Sequence, residues 1–176
     1  MASTPNYAWP TPDDTDPVGD GALDMRTLGN EIDDTVNSIG QGLKAYVTSQ
    51  TSQALSLTST IATGMSVNFT AKTGRYYKFT YHEPEVETPS VAGGNTLLTI
   101  KLTNAAATAY SVSVIQTPSA AKTVNQVTAI AIETFATAGT KTIVGACATS
   151  SLTGAPQLQR TSTRLAFLIV EDIGAV

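Results

Sequence analysis

Charge is scarce in this sequence: only 14% of its 176 residues are Asp, Glu, Lys or Arg, against roughly 25% in an average soluble domain. So few charges on a small chain predict a surface largely covered by partners, because interface cores are depleted in charge. Histidine occurs once, as His82, and cysteine once, as Cys147. A lone cysteine excludes an intrachain disulfide and a Cys-based metal site. Its apolar neighbours Val144, Ala146 and Ala148 predict a thiol buried inside a strand. No apolar stretch approaches the roughly 20 residues of a bilayer span. No basic segment followed by an apolar run opens the chain, so no signal peptide is expected.

The means for catalysis are equally thin. No glycine-rich phosphate loop opens a helix, and no serine has a plausible base, since His82 sits in no nucleophile-elbow motif. The run His82-Glu83-Pro84-Glu85-Val86-Glu87 is not the two-histidine helical motif of metalloproteases. It reads as a solvated loop in which three alternating carboxylates share one side. Asp13, Asp14, Asp16 and Asp20 partly imitate a calcium loop, but Val18 takes a ligand position and no Glu follows at the required offset. No catalytic residue, cofactor or metal site is assigned. Nothing selects a pair of acids for glycoside cleavage. Tyr76, Tyr77 and Tyr81 are candidate sugar-stacking rings, although strand tyrosines commonly serve the core rim or a subunit interface. Asn68-Phe69-Thr70 matches a glycosylation sequon but reads as strand.

What is abundant is small and β-branched. Threonine alone fills 29 positions, a composition suited to pleated sheets and close packing between chains. The net charge of −4 conceals an asymmetry: residues 1–34 hold eight acids against Arg26, and the remainder holds nine Lys or Arg against six acids. That mildly basic body lacks the concentrated basic face that nucleic acid requires.

Residues 1–20 contain four prolines and the rings Tyr7 and Trp9. Proline disfavours helix, so this segment is expected to be extended. It reads as a docking peptide whose anchors are Tyr7, Trp9, Asp13, Asp14 and Asp16. A helix is predicted to begin near Asp16–Pro17 or Asp20, where an Asp cap and the dipole favour it. Its apolar positions are Met25, Leu28, Ile32, Val36, Ile39, Leu43 and Val47, with Gly29 and Gly40 also eleven apart. An eleven-residue repeat predicts a straight or slightly right-handed bundle seam. A helix over 21–48 would be about 42 Å long, enough for a short stalk.

Beyond residue 48 the period changes to two. Met65, Val67, Phe69 and Ala71 alternate with polar residues, as do Tyr77, Phe79 and Tyr81, and Tyr110, Val112 and Val114. Further strands are predicted near 54–58, 96–102, 127–135, 141–148 and 163–170. The fold class is therefore mainly β: an anchor peptide (1–20), a helix or short trimeric stalk (21–50), and an antiparallel sandwich or jelly-roll head (53–176).

Three segments carry a family resemblance. YAWPTPDDTDPVGDGALDMRTLGNEIDDTV (7–36) resembles the opening of minor tail, tail-fibre and head-fibre (decoration) proteins of tailed phages. There a Tyr-x-Trp-Pro start leads through an Asp-Pro turn into a helix with a Leu-Gly step. RLAFLIVEDIGAV (164–176) resembles the last strand of that group, and AKTGRYYKFTY a strand of phage domains similar to the C1q and tumour-necrosis-factor jelly roll. Together they cover about a third of the chain. The resemblance implies a virion protein, made in the host cytoplasm and homotrimeric, bound to capsid or tail proteins, with a host surface glycan as partner in the alternative reading of a tail-fibre knob. It implies a last strand near the threefold axis; a trimer could there bring together three copies of Glu171 and Asp172, a cluster suited to holding a cation or accepting hydrogen bonds and not to cleaving a sugar. It implies no catalytic residues, and Glu83→Gln and His82→Ala are expected to have little effect on particle assembly.

Overall fold

The computed structural model describes residues 2–3, 10–11, 21–39 and 41–175. They belong to two units, 1–40 and 41–176.

In the first unit, β1 (Ala2–Ser3) pairs antiparallel with β2 (Pro10–Thr11), placing Ala2 opposite Thr11. Helix α1 (Gly21–Ile39) follows. Asp24 places a carboxylate in its first turn, where the helix dipole favours it. The Thr27 hydroxyl donates to the Leu23 carbonyl at 2.9 Å. The helix is 19 residues long, about 28 Å, and shorter than the 21–48 that its spacing predicts. The correction has a local cause. Gly42 adopts φ +110°, a conformation foreign to a helix and open to glycine. Leu43 and Val47 therefore lie on a strand.

The second unit contains ten strands: β3 (Gly42–Ser49), β4 (Gln53–Ala54), β5 (Thr60–Ala71), β6 (Arg75–Glu87), β7 (Asn95–Leu102), β8 (Ala109–Gln116), β9 (Val124–Thr134), β10 (Gly139–Thr149), β11 (Gln157–Gln159) and β12 (Ala166–Ala175). One sheet runs β5-β10-β7-β8. In the other, β12 lies between β3 and β6, and β9 occupies the opposite edge of β6. At Glu85–Val86 the short β11 takes over from β12 and carries β4. All pairs in both sheets are antiparallel. Leaving aside the short β4 and β11, two four-stranded antiparallel sheets pack face to face, and the chain crosses from one to the other at every connection but β7–β8, which stays within one sheet; this is the jelly-roll arrangement.

The alternation predicted for β5 and β6 builds the core: Met65, Phe69, Tyr77, Phe79 and Tyr81 are buried. Phe69 lies 5.0 Å from Tyr77 and 5.9 Å from Phe135, centroid to centroid, in tilted and edge geometries. Such geometries suit the aromatic quadrupole. Cys147 is buried on β10. Gly145 faces the Tyr81 ring so closely that a Cβ there would come within 2.9 Å of the ring. Any side chain at 145 would displace Tyr81.

Strand β8 departs from its predicted facing. Lys101 pairs with Ala109 but Ile100 pairs with Ser111, so Tyr110 is the extra residue of a bulge. Tyr110 turns inward to stack on Phe79 at 6.0 Å. The parity then inverts. Ser113 donates across the sandwich to the Thr128 carbonyl, and Val112 and Val114 are exposed.

The segment His82–Glu87 is strand, which corrects the loop reading. Pro84 is tolerated because the β6–β9 register shifts between Glu83 and Val86, and a bulge needs no N–H from proline.

Candidate functional site

The outward face of the β3-β12-β6-β9 sheet is assembled from every second residue of four strands. One register row reads Tyr46, Ile169, Thr80, Ile130, and the next Leu43, Glu171, Lys78, Ile132. A third reads Thr48, Phe167, His82, Thr128. Tyr46 is 65% exposed, Leu43 60%, Ile132 55% and Ile130 52%, with Ile173 and Tyr76 also open to solvent. The Lys78–Glu171 ion pair at 3.1 Å places opposite charges in adjacent strands of this face. At the centre, the Thr80 hydroxyl is buried and, among the described residues, has no hydrogen-bond partner. His82 stacks on Phe167 at 4.7 Å and its Nδ1 lies 2.9 Å from the Thr128 hydroxyl. Burial pushes the His82 pKa below its ordinary value, partly opposed by the charge of Glu83.

The sequence carries a signal for this face in two strands that are apolar at both parities. Ile130 and Ile132 interleave with the inward Ala129 and Ala131, and Ala166–Val170 is apolar throughout. Strands apolar at both parities are covered on both sides.

The three carboxylates of β6 do not gather into an open cluster; each meets a cation. Glu83 pairs with Arg160, Glu85 with Arg164, and Glu87 with Lys122. Glu83 and Arg160 are both fully buried. The Tyr81 hydroxyl donates to Glu83 at 2.5 Å. Burial raises the Tyr81 pKa, and the adjacent Glu83 charge raises it further. Burial alone would lower the Arg160 pKa, but its hydrogen bonds to Glu83 and the charge there hold it raised. Glu87 also accepts from the Gln157 N–H and from the Gln159 side chain, tying β11 to β6. Glu83 is thus a structural group of the head, fixed by Arg160 and Tyr81. Among the described residues, no group of three or more His, Cys, Asp or Glu is placed to hold a metal.

Asp172 points inward, where Arg75 grips it through Nη2 at 2.7 Å and Nε at 3.1 Å. Only Glu171 of that pair reaches the outer face. A cation cluster built from both residues is thus corrected, because adjacent strand residues face opposite sides. Tyr77 and Tyr81 are likewise buried and offer no stacking surface; Tyr76 is the exposed ring of the three.

Tyr7, Trp9, Asp13, Asp14 and Asp16 lie outside the described residues. Met25, Leu28 and Ile32 lie on α1, Met25 exposed and the other two half-buried. Val36 and Ile39 are also α1 positions, their side chains outside the description. Leu43 joins the outer sheet face, whereas Val47 packs against the core.

A separate feature sits beside the β7–β8 connection. Asn104 N–H donates to the Leu102 carbonyl at 2.8 Å, and Thr103 between them has φ +70°. This is the positive-φ γ-turn, rare and strained. For a β-branched residue the conformation costs on the order of 1–3 kcal/mol. Leu102, Thr103, Asn104, Ala107, Thr108 and Tyr110 line an open cavity of about 400 Å³ there.

No protein-family model matches this chain, and no curated protein does. Solved structures similar to it include Eiger TNF from S. frugiperda, at 10% identity, covering 77% of this chain and 95% of that one, with a TM-score of 0.42. The infectious bursal disease virus Gx strain structure is 13% identical over 77% of this chain and 38% of that one, TM-score 0.30. A CBM22-1 xylan-binding domain from Paenibacillus barcinonensis is 6% identical over 62% and 65%, TM-score 0.26. These neighbours share β architecture only weakly, and the jelly-roll assignment rests on the strand order above. Among the described residues no helix is long and apolar enough to cross a membrane.

Proposed function

We propose that this chain is a structural virion protein of a tailed phage, a homotrimeric short fibre or capsid-decoration protein and not an enzyme. Residues 1–20 anchor it to a capsid or tail protein, α1 and the head associate in threes, and the jelly roll faces outward.

The observation that carries this reading is the apolar face of the β3-β12-β6-β9 sheet. Four strands about 4.8 Å apart, over roughly 25 Å of strand, give a surface on the order of 400 Å². A face of that size is on the scale of the largest apolar patch of a typical monomer, which is often functional. A neutral pair in register, Lys78 with Glu171, adds no net repulsion when copies meet. The scarcity of charge in the whole sequence agrees with extensive coverage.

Sedimentation velocity tests the assembly: a trimer is expected at low micromolar concentration, and Ile132→Asp is expected to yield folded monomers. A wild-type monomer removes the reading. Incubating the protein with purified capsids and purified tails identifies the partner, and deleting residues 1–20 should abolish attachment while leaving the trimer. Trp9→Ala should weaken attachment by about 2 kcal/mol if Trp9 is a central anchor. Release of oligosaccharides from host envelope, lost in a carboxylate variant, would show an enzyme instead.

A second reading is a receptor- or glycan-binding minor tail protein, a tail-fibre knob acting in host adsorption. The cavity beside β7–β8 favours it.

A further inference from the structure

We infer that the cavity beside the β7–β8 connection binds a neutral sugar ring presented by a glycan. This deepens the second reading and uses none of the sheet-face residues, so it stands or falls separately from trimer formation.

The lining is uncharged throughout: Leu102, Thr103, Asn104, Ala107, Thr108 and Tyr110. A phosphate or carboxylate ligand would find no cation there. The nearby ammonium of Lys101 is held by the Ala105 carbonyl at 2.6 Å and by Ser59 at 3.1 Å. A purely aliphatic ligand would leave the hydroxyls and the amide unused. A sugar ring suits both halves of the lining, because its C–H face packs on apolar and aromatic surface while its hydroxyls need donors and acceptors. Leu102, Ala107 and the Tyr110 ring supply the first, and Thr103 and Thr108 the second. Asn104 accepts with Oδ1 from the Ala106 and Ala107 N–H groups at 2.9 and 3.0 Å, which leaves its Nδ2 as a donor. Burial, with the Glu133 charge, raises the Tyr110 pKa and keeps its hydroxyl a donor.

The cavity is also preformed. Thr103 N–H is fixed to the Thr142 carbonyl at 2.8 Å, the Asn104 side chain pins the turn, and Phe79 backs the Tyr110 ring. Little ordering remains to oppose binding. About 400 Å³ lies within the roughly 300–1,000 Å³ range of small-ligand sites. A strained β-branched residue at the rim is a feature that function tends to retain.

The test is a titration of the full ¹⁵N-labelled chain with methyl glycosides of glucose, galactose, mannose, rhamnose and N-acetylglucosamine, followed by amide shifts. One glycoside is expected to move the amides of 102–110 saturably, with a Kd on the order of 1 mM for a single uncharged ring. Ala107→Leu, which fills the cavity without touching the γ-turn, should weaken binding at least about tenfold, and Thr108→Val by about threefold. Tyr110 is left unchanged because Phe79 packs on it. Shifts that ignore Ala107→Leu overturn the site. Saturable shifts confined to other parts of the head overturn it while leaving the adsorption reading standing. No shift in 102–110 with any glycoside, at concentrations up to about fifty times that Kd, overturns it too.

Discussion

Arg160 and Glu83 meet with neither side chain open to water, Nε to Oε2 at 2.9 Å and Nη2 to Oε1 at 2.5 Å. The third guanidinium nitrogen, Nη1, lies within hydrogen-bond distance of the Ser49 hydroxyl, the Thr51 carbonyl and the Thr63 carbonyl at 3.0, 3.1 and 2.6 Å, its two hydrogens shared among them. One buried cation therefore ties β6 to the end of β3 and to β5, across a sequence separation of 77 residues from its carboxylate. Desolvating both charges makes such a pair a weak source of net stability, but removing one partner leaves the other buried and uncompensated.

Glu83→Gln should accordingly cost about 3–5 kcal/mol. Glu85→Gln, which loses only the partly exposed pair with Arg164, should cost less than about 1 kcal/mol. Urea unfolding of both variants checks this. Equal midpoints for the two would contradict the asymmetry.

Thr80→Val should leave the folded chain as stable or raise its stability by up to about 1 kcal/mol. The hydroxyl it removes is buried without a partner, and an orphaned polar group carries its desolvation cost with no return. A clear loss in thermal unfolding would mean that the hydroxyl is bonded.

His82 makes the head sensitive to acid. Its pKa is lowered by burial against Phe167 and Thr128, with Glu83 opposing that shift. A depressed folded pKa means that below about 6.5 the unfolded chain binds the proton more readily. The His82 contribution is therefore fully present above that pH and is lost as pH falls through the folded value. Thermal unfolding at about pH 7.5 and about pH 5.5 should show a drop that His82→Gln reduces. An unchanged drop in the variant would place the sensitivity elsewhere.

Cys147 should be inert while the head is folded. Burial pushes its pKa up to about 11, against a lowering contribution from Thr60, and the nucleophilic form is the thiolate. An aromatic disulfide reagent at neutral pH should label it only as fast as the chain unfolds, with full labelling in denaturant. Rapid labelling of the native protein would show that β10 opens locally.

Much of the head was legible from residue pattern alone. The alternations at Met65–Ala71 and Tyr77–Tyr81 carry the sandwich core, and Cys147 lies among the small apolar residues that foretold its burial. Such patterns are readable because a half-buried strand must alternate, whatever its partner. The stripe through Ile39, Leu43 and Val47 shows the limit. A spacing of four fits a helix face and also one side of a strand. Here neither holds throughout, because the register shift at Val170–Glu171 sets Leu43 outward and Val47 inward. Gly42 and the docking of β3 on β12 decide between them, and neither is visible to local periodicity.

Composition and spacing thus determined by themselves that the chain is mainly β, poor in charge and equipped with few chemical groups for catalysis. Tertiary structure alone decided which side of each strand meets water. The bulge at Tyr110 turned Val112 and Val114 outward, and the pairing of β6 with β9 and β12 set Ile130, Ile169 and Tyr46 in one row. It also brought Arg160 to Glu83. Each of these depends on registers between segments far apart in the chain, and a one-residue change of register reverses the face of every side chain beyond it.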